Sequence, residues 1–552
     1  MEPILQIVSV RPNEESVRRP VDDRTILGSL ACAAALSSDK DVVRFVGGES
    51  RTAAALLQDA AVFAGLLGEA GVSSGDRVAI MTSNRIEFLW AFFGAAHAGA
   101  ISVPLNTSLR GPILEHMLRD SAPAVVVVET TFFDAVLPAL RAVGSKARIL
   151  AVHDGEPDPT WEQHDVRYLP PAMEGAGVPP VPTDRYADAS ILYTSGTTGP
   201  SKGVLHSNNS IVAFGENADW MFEYQRDDVL HNCLPLFHAN ALCVTLLPAL
   251  RAGAAAVFGR RFSASGFWAE VRNEGATTTS ILGAMVPILW GAPERPDDAD
   301  NKVRTALCVP TPTADLYESF ERRFGIRLVS QYGMTDTSSI IGTPPNVTGR
   351  PGYAGVLHPD FECIVVDDHD HPVPDGVAGE GLVRPRKPDV MMRGYWNNPT
   401  ATLDAFRNLW FHTGDVLIRD PDGWFRFVDR SKDAMRRFGE NISSFEVESV
   451  ISLHPSVEEV AVYAVPSALS EDEVMATIVF RAGVAGDLAE IGLHCDDKLP
   501  YFASPRFLVS ADALPKTANQ KVRKDVLRKA GVTTDALDRG QRGRSRTAKT
   551  GS

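Results

Sequence analysis

The sequence predicts an α/β protein: a large N-terminal region of helix-covered β-sheets, then antiparallel β structure, then a small α+β unit at the C-terminus. Three observations carry this. Between residues 50 and 153 short apolar runs alternate with stretches of helical apolar spacing, the pattern of sheets covered by helices. Between 349 and 428 glycine, proline and aromatic residues become dense, and short runs alternate apolar with polar positions. After Asp429 the chain opens a last segment with a helix, strands and a terminal helix of its own.

In chain order, residues 52–69 and 85–100 have helical apolar spacing, and 76–81 is a short buried strand between them. Strand-like runs recur at 124–128 and 149–153. Residues 155–183, rich in proline and acids, read as a loop or linker. Further strand patterns follow at 254–258 and 326–330, and antiparallel ones at 361–366 and 423–428. The last segment is expected to hold a helix at 445–453, strands at 459–465 and 476–480, and a helix at 521–530. A boundary near 430–433 divides the chain into a large domain (1–431) and a small one (432–535). Residues 536–552, basic and poor in apolar side chains, are expected to be a disordered tail.

The chain has 552 residues, 44% hydrophobic and 22% charged, enough for a sizeable core in several domain-sized units. Its net charge of -15 argues against a dedicated nucleic-acid binder, which needs a basic face, but not against a nucleotide ligand. Six cysteines, at 32, 233, 243, 308, 363 and 495, lack zinc or redox spacing and are too few for a disulfide framework. Reduced cytoplasm is the expected compartment. No apolar segment follows a basic start, and the most apolar stretch, 89–105, is broken by His97, glycines and Pro104, so neither a secretory signal nor membrane insertion is expected.

The strongest local signal is the run from Ala189 through Tyr193-Thr194-Ser195-Gly196-Thr197-Thr198-Gly199-Pro200-Ser201-Lys202-Gly203. A short apolar strand runs directly into hydroxyl residues, three glycines and a lysine. Glycine lets backbone N–H groups approach an anion closely. Thr194, Ser195, Thr197 and Thr198 add donors and Lys202 a mobile positive charge, so the segment is built to grip phosphate. It is not the usual P-loop, because here lysine precedes glycine. Taken alone, a loop rich in Gly, Ser and Thr is often only a surface loop. The ordered string is what weighs against that.

This loop resembles the signature motif of the adenylate-forming superfamily: acyl-CoA synthetases, peptide-synthetase adenylation domains and luciferases. Later segments resemble the superfamily's other motifs in its order: Pro235-Leu-Phe-His238, Gln331-Tyr-Gly-Met-Thr-Asp336, Phe411-His-Thr-Gly-Asp415, Asp429-Arg430-Ser-Lys432-Asp433, Gly439-Glu-Asn-Ile and Lys516-Thr-Ala-Asn-Gln-Lys521. Crotonobetaine/carnitine-CoA ligases are especially similar near the hinge and the Tyr-Gly-Met-Thr segment. The resemblance covers about residues 25–530 and implies a β-barrel-like subdomain within the large domain and a mobile C-terminal lid. It also implies ATP, Mg²⁺ and coenzyme A as cofactors, with a small carboxylic acid as substrate. Among protein partners, a homodimer and an adenylating enzyme that supplies an acyl-adenylate remain open.

The implied roles make physical sense. A carboxylate is a poor electrophile, and an adenylate gives it a good leaving group. The carboxyl group, of pKa about 4, is already ionised and needs no general base. The step needs charge neutralisation instead. By the resemblance, Lys521 bridges the carboxylate and α-phosphate, Thr335 binds the α-phosphate, and Asp336 holds Mg²⁺. Tyr332, with Gly333 and Met334, meets adenine; Asp415, with Arg430 beside it, takes the ribose hydroxyls; His238 borders the acyl pocket. The lid then turns about Lys432, replacing the Lys521 loop by the Gly439 segment, where a glycine leaves room for pantetheine. Singly, a buried Tyr is usually core, an Asp usually a cap, and a Lys usually solvated; the shared order overturns those priors.

Several positions depart from the superfamily pattern. Asp336 stands where Glu is usual, Gln520 where Gly precedes the lysine, Val309-Pro-Thr-Pro-Thr where small residues face adenine, and Phe438 where small or polar residues are common. One expectation is neutral variation in a complete ligase; the other is weakened adenylation, with thioesterification of an adenylate made elsewhere. A carrier-protein loader, a luciferase-like oxygenase and a nucleotide-binding sensor are further alternatives. The acyl pocket is expected from residues 236–242, 281–287 and 330–341, where Ala239, Ala241, Gly283 and Ala284 leave room. Asp336 is the only acid there, which favours a bulky apolar acid over a cationic one.

Overall fold

The computed structural model describes residues 24–153, 166–194, 200–283, 285–312, 314–430, 434–467, 471–484, 486–516 and 522–540. Two largely parallel sheets organise the N-terminal region. One runs in the order Arg327–Val329, Thr305–Val309, Thr278–Leu282, Val229–Asn232, Ala255–Phe258, Asp41–Phe45, Ser50–Thr52, the last pair antiparallel. The other runs Gly394–Tyr395, Lys202–Ser207, Asp188–Thr194, Ile101–Pro104, Arg77–Met81, Val125–Glu129, Arg148–Val152, Val166–Tyr168. In strand Arg77–Met81 successive side chains serve opposite faces. Val78 and Ile80 enter a core shared with the first sheet and helices Ala53–Glu69 and Ile86–His97, while Ala79 and Met81 pack outward under helices Gly111–Ser121 and Phe133–Ala142. Thr52 caps the helix Ala53–Glu69 through Ala55 N, and Ser207 caps Asn208–Phe222 through Ser210 N at 3.0 Å.

Between residues 331 and 430, Gly394–Tyr395 apart, the strands form a seven-stranded antiparallel sheet, ordered Gln331–Met334, Ser338–Gly342, Gly355–Leu357, Trp424–Arg430, Phe411–Arg419, Gly379–Pro385, Phe361–Val366. It begins at 331, earlier than the composition shift at 349 suggests. From 434 on, a hairpin of Ala434–Arg437 with Glu440–Ser443 and the sheet Val457–Pro466, Asp472–Phe480, Phe507–Ser510, Leu537–Asp538 carry helices Ser444–Ser452 and Leu488–Lys498.

Two expectations need correction. Within the stretch read as a linker, Val166–Tyr168 adds a parallel strand beside Arg148–Val152. Within the stretch read as a tail, Leu537–Asp538 pairs with Phe507–Ser510, and Arg539 reaches Asp496 at 2.6 Å. The terminal helix spans Lys524–Ala530, starting later than 521. All six cysteines are free. Among the described residues no helix is long and apolar enough to cross a membrane.

Candidate active site

A cleft of about 2710 Å³ is lined by residues of both large sheets, of the antiparallel sheet and of the C-terminal unit. One wall is the hairpin Gln331–Met334 and Ser338–Gly342. A bulge lies between Tyr332 and Gly333, and a Cβ at Gly333 would run into the Ser338 carbonyl oxygen, so glycine is required where the strands approach. Tyr332 lies 8% exposed and its hydroxyl donates to Asp415 Oδ2 at 2.8 Å. Burial and that carboxylate push the phenol well above its ordinary range, so it stays a donor. Phe427 stacks beside it, ring centroids 6.3 Å apart, and is 44% exposed. Asp415 pairs through its backbone with Arg430 across the adjoining strands.

The turn after Met334 carries Thr335 and Asp336. His206, wholly buried on strand Lys202–Ser207, faces the Thr335 carbonyl through Nε2 at 3.0 Å. A carbonyl only accepts, so Nε2 carries the proton. Burial pulls this imidazole down to about 4 despite that bond, leaving it neutral at physiological pH. Asp336 is 6% exposed; Tyr395 Oη donates to its Oδ1 at 2.6 Å, and Lys202 Nζ sits 4.5 Å over the Tyr395 ring. Burial raises the Asp336 carboxyl, while the Tyr395 hydroxyl and the Lys202 charge pull it back. This buried oxygen donor suits a hard cation such as Mg²⁺, which takes one or two protein carboxylates and completes its shell with phosphate and water.

Thr194 lies across the antiparallel pair from Lys202. Ser195, Gly196, Thr197, Thr198 and Gly199 lie outside the described residues, as do Lys432, Lys521 and Ala284. At the foot of the loop, Ser201 gives its N–H (2.7 Å) and its hydroxyl to Glu446 of the C-terminal unit, and His116 Nε2 donates to the Ser201 carbonyl at 2.8 Å. Burial raises the Glu446 carboxyl. Ser443 caps the helix bearing Glu446, which sets that side chain in the first turn, facing the loop.

On the opposite wall, His238 Nε2 donates to Glu440 Oε1 at 3.0 Å, and Phe237 tilts against the imidazole with centroids 4.6 Å apart. Residues 240–246 form a π-helical turn, a rare form that clusters at functional sites. Leu282, Met285, Val309 and Ser339 also line the cleft. Gly439 sits at φ +78°, and a Cβ on it would meet Leu282. Of the expected site residues, the structure brings Thr194, Lys202, Tyr332, Gly333, Met334, Thr335, Asp336, His238, Asp415 and Gly439 to this one cleft. Tyr395, His206 and Glu446 were missed, and Glu440 was noted only as part of the Gly439 motif: each meets a partner dozens to hundreds of residues away. Among the described residues, one group has metal-ligand spacing, Asp370, Glu380 and His412; there Arg407 lies 3.7 Å from Asp370 and 3.6 Å from Glu380, supplying the cation.

Residues 30–396 match the family described as AMP-binding enzyme, and residues 446–521 match its C-terminal domain. The chain belongs to the AMP-binding enzyme family. Within that family it is an adenylate-forming acyl-CoA synthetase, an AMP-forming acid–thiol ligase, and such ligases work with ATP, Mg²⁺ and coenzyme A. It is 31% identical to a crotonobetaine/carnitine–CoA ligase of Salmonella paratyphi A over 470 residues, covering 84% of this chain and 90% of that one. Among solved family structures, o-succinylbenzoate CoA synthetase of Bacillus subtilis, bound with a product analogue, superposes with TM-score 0.76 at 25% identity, covering 91% of this chain and 98% of that one. ATP-bound MatB of Rhodopseudomonas palustris gives 0.64 at 27% identity, covering 91% and 98%.

Proposed function

We propose that the chain is a complete two-step ligase. It activates a bulky, apolar carboxylic acid with ATP and passes the acyl group to CoA, and residues 432–535 are the lid that moves between the two steps. The observation that carries this is the seating of the 434–443 hairpin on the acyl wall, with Glu440 on His238 at 3.0 Å and Gly439 against Leu282. A thiol entering past a glycine there would meet an adenylate lying between His238 and Thr335.

In this scheme Tyr332 and Phe427 offer aromatic faces to the base, with Gly333 and Met334 giving the backbone edge. Asp415 and Arg430 take the ribose. Thr335, held from behind by His206, meets the α-phosphate. Thr194, Ser195, Gly196, Thr197, Thr198, Gly199 and Lys202 grip the other phosphates. Asp336 holds Mg²⁺, whose contribution when bound is neutralisation of charge on the triphosphate. Lys521 bridges carboxylate and α-phosphate, and Lys432 is the pivot, both as the resemblance implies.

Substrate class follows from the compartment at His238, Leu282, Met285, Val309 and Ser339. Glu440, the carboxylate that touches His238, is already engaged by it. A buried ammonium would lack a partner there, at a cost of several kcal/mol. Thioester formation with equal concentrations of aromatic or alicyclic acids, short hydroxy acids and carnitine-like cations tests this. Bulky apolar acids are expected to show kcat/KM at least about tenfold higher, one or two buried methylenes' worth. Preference for short polar or cationic acids would contradict it.

A further inference from the structure

The hairpin that seats on the acyl wall turns in two residues, Phe438 and Gly439, with Arg437 paired to Glu440. Both turn residues have positive φ, +54° and +78°. Two-residue hairpin turns of this kind favour Asn-Gly, because the first position must also enter the left-handed region. An aromatic residue there is strained, and strain persists only where its surroundings hold it. The base of the hairpin is fixed by Arg437, paired with Glu473 at 2.8 Å, and by Arg436 N donating to Asp472 at 2.8 Å. The tip is held by a different group. Glu471, its side chain 6% exposed, accepts the Gly439 N–H on Oε1 and Oε2 at 3.3 Å each, and also the Phe438 N–H. Arg436 Nε lies 3.8 Å from it. The Phe438 ring stacks on Tyr501 with centroids 5.9 Å apart.

We propose that Glu471 is the positioning residue for thiol transfer: it holds the strained Phe438–Gly439 turn in the shape that presents Gly439 to the acyl wall. Given the transfer function proposed above, in which the Lys521 loop serves adenylation and this hairpin serves transfer, Glu471 matters for transfer and not for adenylation. A carboxylate beneath two adjacent N–H groups does locally what an Asn-Gly sequence would do by itself.

The test is a half-reaction split with a strain-relief rescue in the full-length protein. Glu471→Ala is expected to form acyl-adenylate from acid and ATP within about twofold of wild type. It should transfer acyl from preformed adenylate to CoA about tenfold more slowly at saturating CoA, the effect of one lost charged hydrogen-bond set. Phe438→Asn supplies the favoured turn sequence, so the double variant F438N/E471A should regain most of the transfer rate. Equal loss in both half-reactions, unchanged transfer in E471A, or no rescue in the double variant would each overturn the proposal. A wild-type chain that makes adenylate but no thioester overturns both the transfer function and this role.

Discussion

At the scale of single residues, the proposed site places acceptors where positive charge would come and donors where negative charge would. Asp336 is the clearest case. Its carboxyl is raised by burial and pulled down by Tyr395 Oη at 2.6 Å. The Tyr395→Phe substitution removes that donor without touching the ring that Lys202 covers. Adenylation by the variant is expected to fall about tenfold, the cost of one unmet charge-assisted bond. The sign of the pH effect follows from the cause. Losing the donor lets the Asp336 carboxyl titrate higher still, so the acidic limb of the adenylation profile should move to higher pH, while transfer from preformed adenylate keeps its profile. An unmoved limb in pre-steady-state adenylation would contradict the role of Tyr395. The sequence pointed to Asp336 through its motif and gave no hint of Tyr395, because a hydroxyl 59 residues away obeys no spacing rule.

At the scale of elements, most of the large domain could be read directly. Helices Ala53–Glu69 and Ile86–His97 carry the apolar spacing their burial requires, and strand Arg77–Met81 is apolar on both faces because both are covered. What escaped was short or polar. Val166–Tyr168 is three residues supported by a neighbouring strand, and Leu537–Asp538 sits in a basic stretch anchored through Arg539 on Asp496. Neither has enough apolar residues for a periodicity. The helix Ser444–Ser452 was legible, but its link to the phosphate loop was not. Glu446 there accepts the Ser201 N–H at 2.7 Å as well as the hydroxyl. Replacing Glu446 by Ala leaves a buried N–H unmet, costing about 1–3 kcal/mol of this lid position. Transfer to CoA should fall about tenfold with adenylation no slower, as read by single-turnover assays; loss of adenylation alone would contradict the link.

At the scale of the whole molecule, the proposed scheme has one cleft serve two chemistries in turn, with residues 434–443 and Glu446 placed for the second. That relation between units is a property of three-dimensional contact across more than two hundred residues, such as Ser201 with Glu446 and His238 with Glu440, and no run of sequence encodes it. The departures at Asp336 and Gln520 leave the first chemistry as the point to press. The most direct measurement is thioester formation in two parallel reactions with the purified chain: free acid with ATP, Mg²⁺ and CoA, and preformed acyl-adenylate with CoA alone. A two-step ligase makes thioester in both. Product from the adenylate alone would contradict the complete ligase and assign adenylation to another enzyme.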